Sequence, residues 1–311
     1  MTSILSLMKK RTYAIIGTGA VGGYYGALLQ RAGFETHFLL HSDYEYVKTH
    51  GLRIDDANGD FTLPKVNAYA SSADMPKCDV VIIALKTTTN PLLKEILPPI
   101  VDENTTVVAL QNGLGSEQTI AECVKPRAIL GGLSFVCCNK VGPGHIHHLD
   151  YGLISLGEYS PRGATGITSQ LKDVAEDLTA AGIPIRMEDD LMLARWKKLM
   201  WNIPYNGLCA LLNVTTDVLM ADVEMRALVT DLMREVQAGA ASCAGEISDE
   251  FLQQMIDNTD KMEPYLPSMM LDRRSGRPME LEAIYKNPLE TARVPMPRTE
   301  MLYRQLRTLN H

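Results

Sequence analysis

Residues Gly17-Thr18-Gly19-Ala20-Val21-Gly22 spell GxGxxG, and the segments on either side restrict what such a turn can be. TYAIIG (12–17) reads as a buried strand ending at glycine. AVGGYYGALLQRAG (20–33) reads as a helix closed by Gly33, and ETHFLL (35–40) as a second strand. Strand, helix and strand in that order make a βαβ unit, whose strands run parallel. In such a unit Gly17 permits the tight turn. Gly19 leaves room for a pyrophosphate against the backbone, and Gly22 lets the helix approach the strand. Thr18, Ala20 and Val21 complete the loop, and the helix N-terminus offers N–H groups and a positive dipole end to phosphates. A bare GxGxxG is weak evidence. This one has its strand, helix and second strand in place, so dinucleotide binding is the expectation.

The strand-and-helix alternation continues. Strands are expected at DVVIIAL (79–85), TTVVAL (105–110) and AILGGLSFV (128–136). DDANGDF (55–61) carries a turn signal between strand-like flanks and reads as a small excursion from the main sheet. HIHHL (145–149) and LISLG (153–157) read as a late antiparallel pair. A helix over about 165–181 and a strand at PIRM (184–187) follow. From Asp189 onward the pattern is almost wholly helical. The fold expected is α/β: an N-terminal Rossmann-like doubly wound sheet over 1–188, with a leader at 1–10, followed by an all-helical domain over 189–311.

Composition excludes some functions. A formal net charge of -7 disfavours nucleic acid as the main partner, because phosphate backbones call for a basic face. No apolar run reaches the length of a membrane span. In MTSILSLMKKR the basic residues follow a short apolar run, the reverse of a secretory signal. A cytoplasmic protein with no membrane partner is expected. The six cysteines (Cys78, Cys123, Cys137, Cys138, Cys209, Cys243) form no CxxC pair and read as reduced thiols. Apolar stretches such as 223–244 suit either a homodimer interface or the core of one subunit.

The end of the second strand bears on the cofactor. An acid about 20 residues past the glycines would hold the ribose 2′-hydroxyl of NAD. His41 and Ser42 stand there instead, with Asp43 close by. His and Ser can donate hydrogen bonds to a 2′-phosphate, which favours NADP and leaves NAD open.

In ARWKKLMWNIPYNGL, Lys198, Asn202 and Asn206 follow at i, i+4 and i+8 and share one helical face among apolar neighbours. Polar groups in such surroundings are paired or face a polar cleft. A snorkelling lysine with two structural asparagines fits the same pattern. Pro204 should kink the helix, since it lacks a donor and crowds the carbonyl of Met200. Asn112, in QNGLG (111–115), and Lys86, ending DVVIIALK, both follow strands, where ligands of such sheets gather. Each is equally consistent with an ordinary turn or solvated residue.

Together, GTGAVG (17–22), LK (85–86), QNGLG (111–115), KLMWNIPYN (198–206) and SMMLD…ME (268–280) resemble the ketopantoate reductase family over nearly the whole chain. The resemblance implies NADPH-dependent reduction of 2-dehydropantoate to (R)-pantoate, in coenzyme A precursor synthesis. It implies that Lys198 is the catalytic lysine, donating a proton to the ketone oxygen, and that Glu280 is the acid on the substrate side. It further implies that Asn202, Asn206 and Ser268 anchor the substrate. Asn112 falls between nicotinamide and lysine, Lys86 near the cofactor, and Asp272 after the Ser-Met pair. Two departures stand out. His41 occupies the position where the family usually has arginine, and Glu280 runs into Leu281-Glu282-Ala283-Ile284-Tyr285-Lys286, which suggests added bulk near the pocket.

Two alternatives follow. One is a reductase of another branched 2-oxo acid, motivated by Tyr285 and Lys286. The other is a non-catalytic NAD(P)-binding regulator. Arg273, Arg274 and Arg277 raise a further option, a phosphorylated or acyl-CoA substrate. His145, His147 and His148 are not read as a metal site, for want of a completing ligand at familiar spacing. Met269 and Met270 read as packing, and Glu188-Asp189-Asp190 as a linker and helix cap.

Overall fold

The computed structural model describes residues 10–310. The leader expected at 1–10 therefore lies outside the described residues except for Lys10. The chain divides into two compact units. One holds the chain to Leu85 with Thr89–Gln111 and Glu117–Asp189; the other holds Lys86–Thr88, Asn112–Ser116 and Asp190–His311.

The first unit runs β1 (Tyr13–Ile16), α1 (Ala20–Arg31), β2 (Thr36–Leu39), α2 (Tyr44–His50), β3 (Leu52–Asp56), β4 (Phe61–Leu63), β5 (Asn67–Tyr69), β6 (Val80–Ile83), α3 (Leu93–Ile96), β7 (Thr106–Ala109), α4 (Ser116–Cys123), β8 (Ala128–Gly142), β9 (His145–Glu158), α5 (Ser169–Ala180) and β10 (Ile185–Glu188). All ten strands form one sheet, in the order β4-β3-β9-β8-β7-β6-β1-β2-β5, with β10 paired to β9. β1 lies parallel to both β2 and β6, so the winding reverses beside it. That reversal is where a sheet of this kind opens for a ligand.

The central strands read as continuous apolar runs because both their faces are covered. Alternate Cβ atoms point to opposite faces. Tyr13, Ile15 and Phe38 enter one core layer with Tyr25 and Leu29 of α1 and Leu171 and Leu178 of α5. Ala14, Ile16, Val81 and Ile83 enter the other, with Leu93, Leu97 and Ile120. Asp177 on α5 accepts from the Tyr13 hydroxyl and from Arg11 Nε, each at 2.7 Å. The Lys10 amine donates to the Ala32 carbonyl past the end of α1 (2.7 Å).

Two expectations for this unit need correction. The 55–61 turn does join an antiparallel hairpin, β3 with β4, but β3 also pairs in parallel with β9. The hairpin extends the main sheet instead of leaving it. HIHHL and LISLG are not partners of each other. Both belong to β9, which pairs antiparallel along β8. Tyr151 and Gly152 adopt φ of 63° and 136°, which bends β9 without ending it. Locally that bend has the composition of a turn, and only pairing to β8 carries the strand through it. The edge strand β5 was not expected.

The second unit contains α6 (Leu191–Trp201), α7 (Gly207–Leu212), α8 (Thr216–Ala221), α9 (Val223–Cys243), α10 (Asp249–Asp260), α11 (Ser268–Arg274), α12 (Asn287–Thr291) and α13 (Pro297–Arg307). Asp190 caps α6, its carboxylate accepting from the Leu193 N–H at 3.0 Å. Trp196, Met200, Ile203, Met233, Val236, Met270 and Ile284 lie in its core. Gly239 of α9 is small because the Trp196 ring lies 3.0 Å from where a Cβ would stand.

Pro204 produces a π turn, Asn202–Asn206, between α6 and α7. The wider turn accommodates the missing donor and the crowded carbonyl. A second π turn, Glu282–Lys286, was not expected. The two are tied together: the Tyr285 hydroxyl donates to the Ile203 carbonyl at 2.8 Å. Tyr285 is fully buried and Lys286 pairs with Glu282 at 2.9 Å. The bulk expected near the pocket therefore lies in the helical core and at the surface. All six cysteines are free thiols, with Cys78 and Cys209 buried and the others partly so. Among the described residues no helix is long and apolar enough to cross a membrane.

Candidate active site

Lys198 stands in the last turn of α6 and is half-buried. Burial pushes its amine down to about 7; the nearby Arg195 guanidinium pushes the same way, and Glu280 opposes them. Arg195 lies one turn earlier on α6, buried, and its Nη1 donates to the Gly113 carbonyl at 3.1 Å. Gly113 has φ +80°, and a Cβ there would come within 2.2 Å of the Ala283 carbonyl oxygen. The Leu114 N–H donates to that oxygen at 2.9 Å. Asn287 Nδ2 donates to the Leu114 carbonyl at 2.7 Å. The turn bearing Asn112 is thus held by α6 on one side and by the second π turn and α12 on the other.

Glu280 sits at the centre of a three-residue turn closed by Leu281 N–H to the Met279 carbonyl (2.8 Å). The Met279 N–H donates to Asn310 Oδ1 at 2.7 Å, so the C-terminal segment secures this turn. The buried Glu280 carboxylate accepts from the Thr87 N–H (2.8 Å) and the Thr87 hydroxyl (2.9 Å). Its other oxygen is 3.5 Å from Lys86 Nζ. Lys86 also donates to Asp272 at 2.8 Å, and Arg277 Nε donates to the second Asp272 oxygen at 3.1 Å. Burial acts to lower the Lys86 amine, but Glu280 and Asp272 together raise it above its ordinary value. Lys86 therefore stays a cation between two buried carboxylates.

Asn202 and Asn206 occupy the two ends of the first π turn and are buried. Asn206 Oδ1 accepts from the Met269 N–H at 3.5 Å, beside Ser268 at the start of α11. Among the described residues, buried Asn202 Nδ2 has no hydrogen-bond partner. A buried donor left unmatched costs about 1–3 kcal/mol. Lys198, Glu280, Asn112, Asn202, Asn206, Ser268 and Lys86 all belong to the second unit. The three arginines are otherwise engaged. Arg273 donates to the Ala210 and Leu211 carbonyls and Arg274 to Asn213, while Arg277 holds Asp272.

In the first unit Gly17 has φ +93°, and a Cβ on Gly22 would lie 2.3 Å from the Gly17 carbonyl oxygen. At Gly19 a Cβ would meet nothing within 4 Å. Thr18 fixes the turn by donating from its hydroxyl to the Leu39 carbonyl (2.9 Å). α1 has no side-chain cap and no acid in its first turn, where Ala20 and Val21 lie. His41 and Ser42 are exposed. Asp43 is buried and accepts from Lys140 Nζ at 2.6 Å and the Gly144 N–H at 3.0 Å.

The histidine cluster has partners from far along the chain. His145 meets Asp55 at 2.7 Å, and His148 meets Asp56 at 3.1 Å while stacking on Tyr24. Sequence reasoning found no completing acid, because the β3–β9 pairing that brings Asp55 and Asp56 to the histidines is not local. It also missed Arg195, Thr87 and Asn310. The i, i+3 spacing of Arg195 and Lys198 is a signal that could have been used. Nothing local marks the other two.

The sequence model of ketopantoate reductase PanE/ApbA matches residues 13–161, and that of its C-terminal part matches residues 190–310. The chain belongs to the ketopantoate reductase family. A 2-dehydropantoate 2-reductase of Nostoc sp. is 55% identical over 307 residues, covering 97% of this chain and 96% of its own. The crystal structure of 2-dehydropantoate 2-reductase from Geobacter metallireducens GS-15 is 44% identical, with a TM-score of 0.91 over 96% of this chain and 99% of its own. That from Methylococcus capsulatus is 31% identical, with a TM-score of 0.85 over 96% of each chain. Ketopantoate reductases are NAD(P)H-dependent oxidoreductases, and the open glycine turn of the first unit fits a dinucleotide.

Proposed function

We propose that this chain reduces 2-dehydropantoate to (R)-pantoate with NADPH. The observation that carries the reading is Lys198, an amine held near neutrality close to Glu280 and one helical turn from a buried asparagine with an unmatched donor. The names of its relatives from Nostoc and Geobacter support the substrate.

In this reading the first unit holds the dinucleotide, through residues 17–22 and His41. The second unit carries the chemistry. NADPH, when bound, supplies the hydride. Reduction of a ketone builds negative charge on its oxygen, and Lys198 Nζ stabilises that charge and gives up a proton to it. A proton donor works best with its pKa near the working pH, which burial provides here. Asn202, Asn206 and Ser268 hold the substrate's carboxylate and hydroxyl without adding charge. Glu280, oriented by Thr87, accepts from the substrate hydroxyl.

NADPH is favoured over NADH because the acid nearest the end of β2, Asp43, is already occupied by Lys140 and Gly144. That leaves exposed His41 and Ser42 to meet a 2′-phosphate. A cytoplasmic homodimer belongs to the same reading; light scattering measures the assembly. Another branched 2-oxo acid has lost its motive, since Tyr285 is buried in the core. Steady-state assays with 2-dehydropantoate and a panel of 2-oxo acids, each with NADPH and NADH, test the proposal. Cofactor binding without turnover of any 2-oxo acid would favour a regulator instead.

A further inference from the structure

We propose that Arg195 is a positioning residue for this reaction, acting on Lys198 through its charge and on Asn112 through the Gly113 carbonyl. The proposal rests on the assignment of Lys198 as proton donor.

The geometry is specific. Arg195 and Lys198 are spaced i, i+3 on α6, which makes them neighbours on the helix surface. Arg195 is 3% exposed, an unusual place for a guanidinium, and it faces inward to the 112–116 turn. A guanidinium does not give up its proton in proteins, so its charge is permanent. A fixed like charge next to a buried amine favours the neutral amine. The amine is therefore ready both to lose a proton to a developing alkoxide and to regain one from water near neutral pH. The charged groups that act on Lys198 include Arg195 on its own helix and Glu280 from the turn before the second π turn. Lys86 lies beyond Glu280, which it contacts at 3.5 Å, and Asp272 lies beyond Lys86.

The second action is mechanical. Gly113 cannot gain a side chain without striking Ala283, and its carbonyl oxygen is the acceptor of Arg195 Nη1. One buried side chain thus joins the helix of the proton donor to the turn that presents Asn112.

Two substitutions separate the actions. Arg195→Gln removes the charge and keeps a donor for Gly113; Arg195→Lys keeps the charge and changes the donor geometry. The readout is the rate of Lys198 labelling by trinitrobenzenesulfonate against pH, followed by peptide mass spectrometry on the full chain. The wild-type midpoint is expected near 7. Arg195→Gln should raise it by about one pH unit, and Arg195→Lys should leave it unchanged. The kcat profile should move with the labelling profile in Arg195→Gln, whereas Arg195→Lys should lower kcat with its profile in place. A wild-type midpoint in the ordinary lysine range overturns the proposal without any variant. So does an Arg195→Gln midpoint equal to that of the wild type. Labelling needs no substrate. A failed reductase assay would therefore sink the functional reading alone, and an unmoved midpoint would sink this one alone.

Discussion

The turn after β1 is made of backbone, whereas the region around Lys198 is made of side chains. In the first, Gly17, Gly19 and Gly22 contribute by what they lack: one permits a positive φ, one leaves open space, and one lets α1 approach the Gly17 carbonyl. In the second, burial and neighbours lower the Lys198 amine, hold the Glu280 carboxylate and enclose Asn202, and those neighbours come from residues 86–88, 112–116, 195 and 310. A backbone site tolerates change poorly but consistently. A side-chain site distributes its sensitivity over residues far apart in sequence.

The largest effect should come from the side-chain region. Lys198→Met should lower kcat by about 10³-fold, within the usual range for loss of a proton donor, and leave the dissociation constant for NADPH unchanged. Loss of cofactor affinity in that variant would erase the contrast between the regions. The same lysine sets a pH dependence of stability. Its folded value of about 7 lies below the ordinary 10.5, so between those values the unfolded chain binds more protons. Stability contributed at Lys198 therefore rises as pH goes from about 7 to 10.5, and below 7 the charged amine burdens the fold. Lys198→Met should raise Tm more at pH 6 than at pH 10.

The glycine turn gives the next effect, in two forms. Gly22→Ala should destabilise by about 1–3 kcal/mol, because its Cβ has no room, and should weaken NADPH binding as well. Gly19→Ala should leave Tm unchanged and weaken NADPH by about tenfold or more, because the added methyl occupies space reserved for phosphate. Calorimetry and fluorescence titration distinguish them; equal Tm losses would mean the space above Gly19 has no ligand. His41→Asp should reduce the preference for NADPH over NADH by about tenfold, read from the ratio of kcat/KM values. The smallest effect is expected at Asn310→Ala. The lost bond to Met279 is worth about 1 kcal/mol, or roughly a fivefold rise in KM through a loosened Glu280.

The two regions also differed in how far they could be read in advance. The glycine turn was legible because strand, turn and helix are contiguous and each glycine answers a local steric demand. Lys198, Asn202 and Asn206 were visible as polar residues in an apolar helix, but their spacing alone did not separate function from packing. Glu280 had no local signal at all; only its resemblance to a family pattern raised it. Tyr285 was read as bulk near a pocket. Its destination was decided by a hydrogen bond to Ile203 in another π turn, which no window of sequence contains. The bend at Tyr151 and Gly152 misled for the same reason, since a strand that survives a turn-like stretch does so through its partner.

By itself the sequence determined the parallel α/β half, the helical half, the turn after β1 and the break that Pro204 makes after α6. These depend on periodicity and on the φ/ψ limits of glycine and proline, which act within a few residues. Tertiary structure decided the ionisation of Lys198, the pairing of Asp43, Lys86 and Glu280, and the place of Arg195. Those depend on desolvation and charge at distances of a few ångströms between residues up to 193 positions apart, and such distances exist only once the chain is packed.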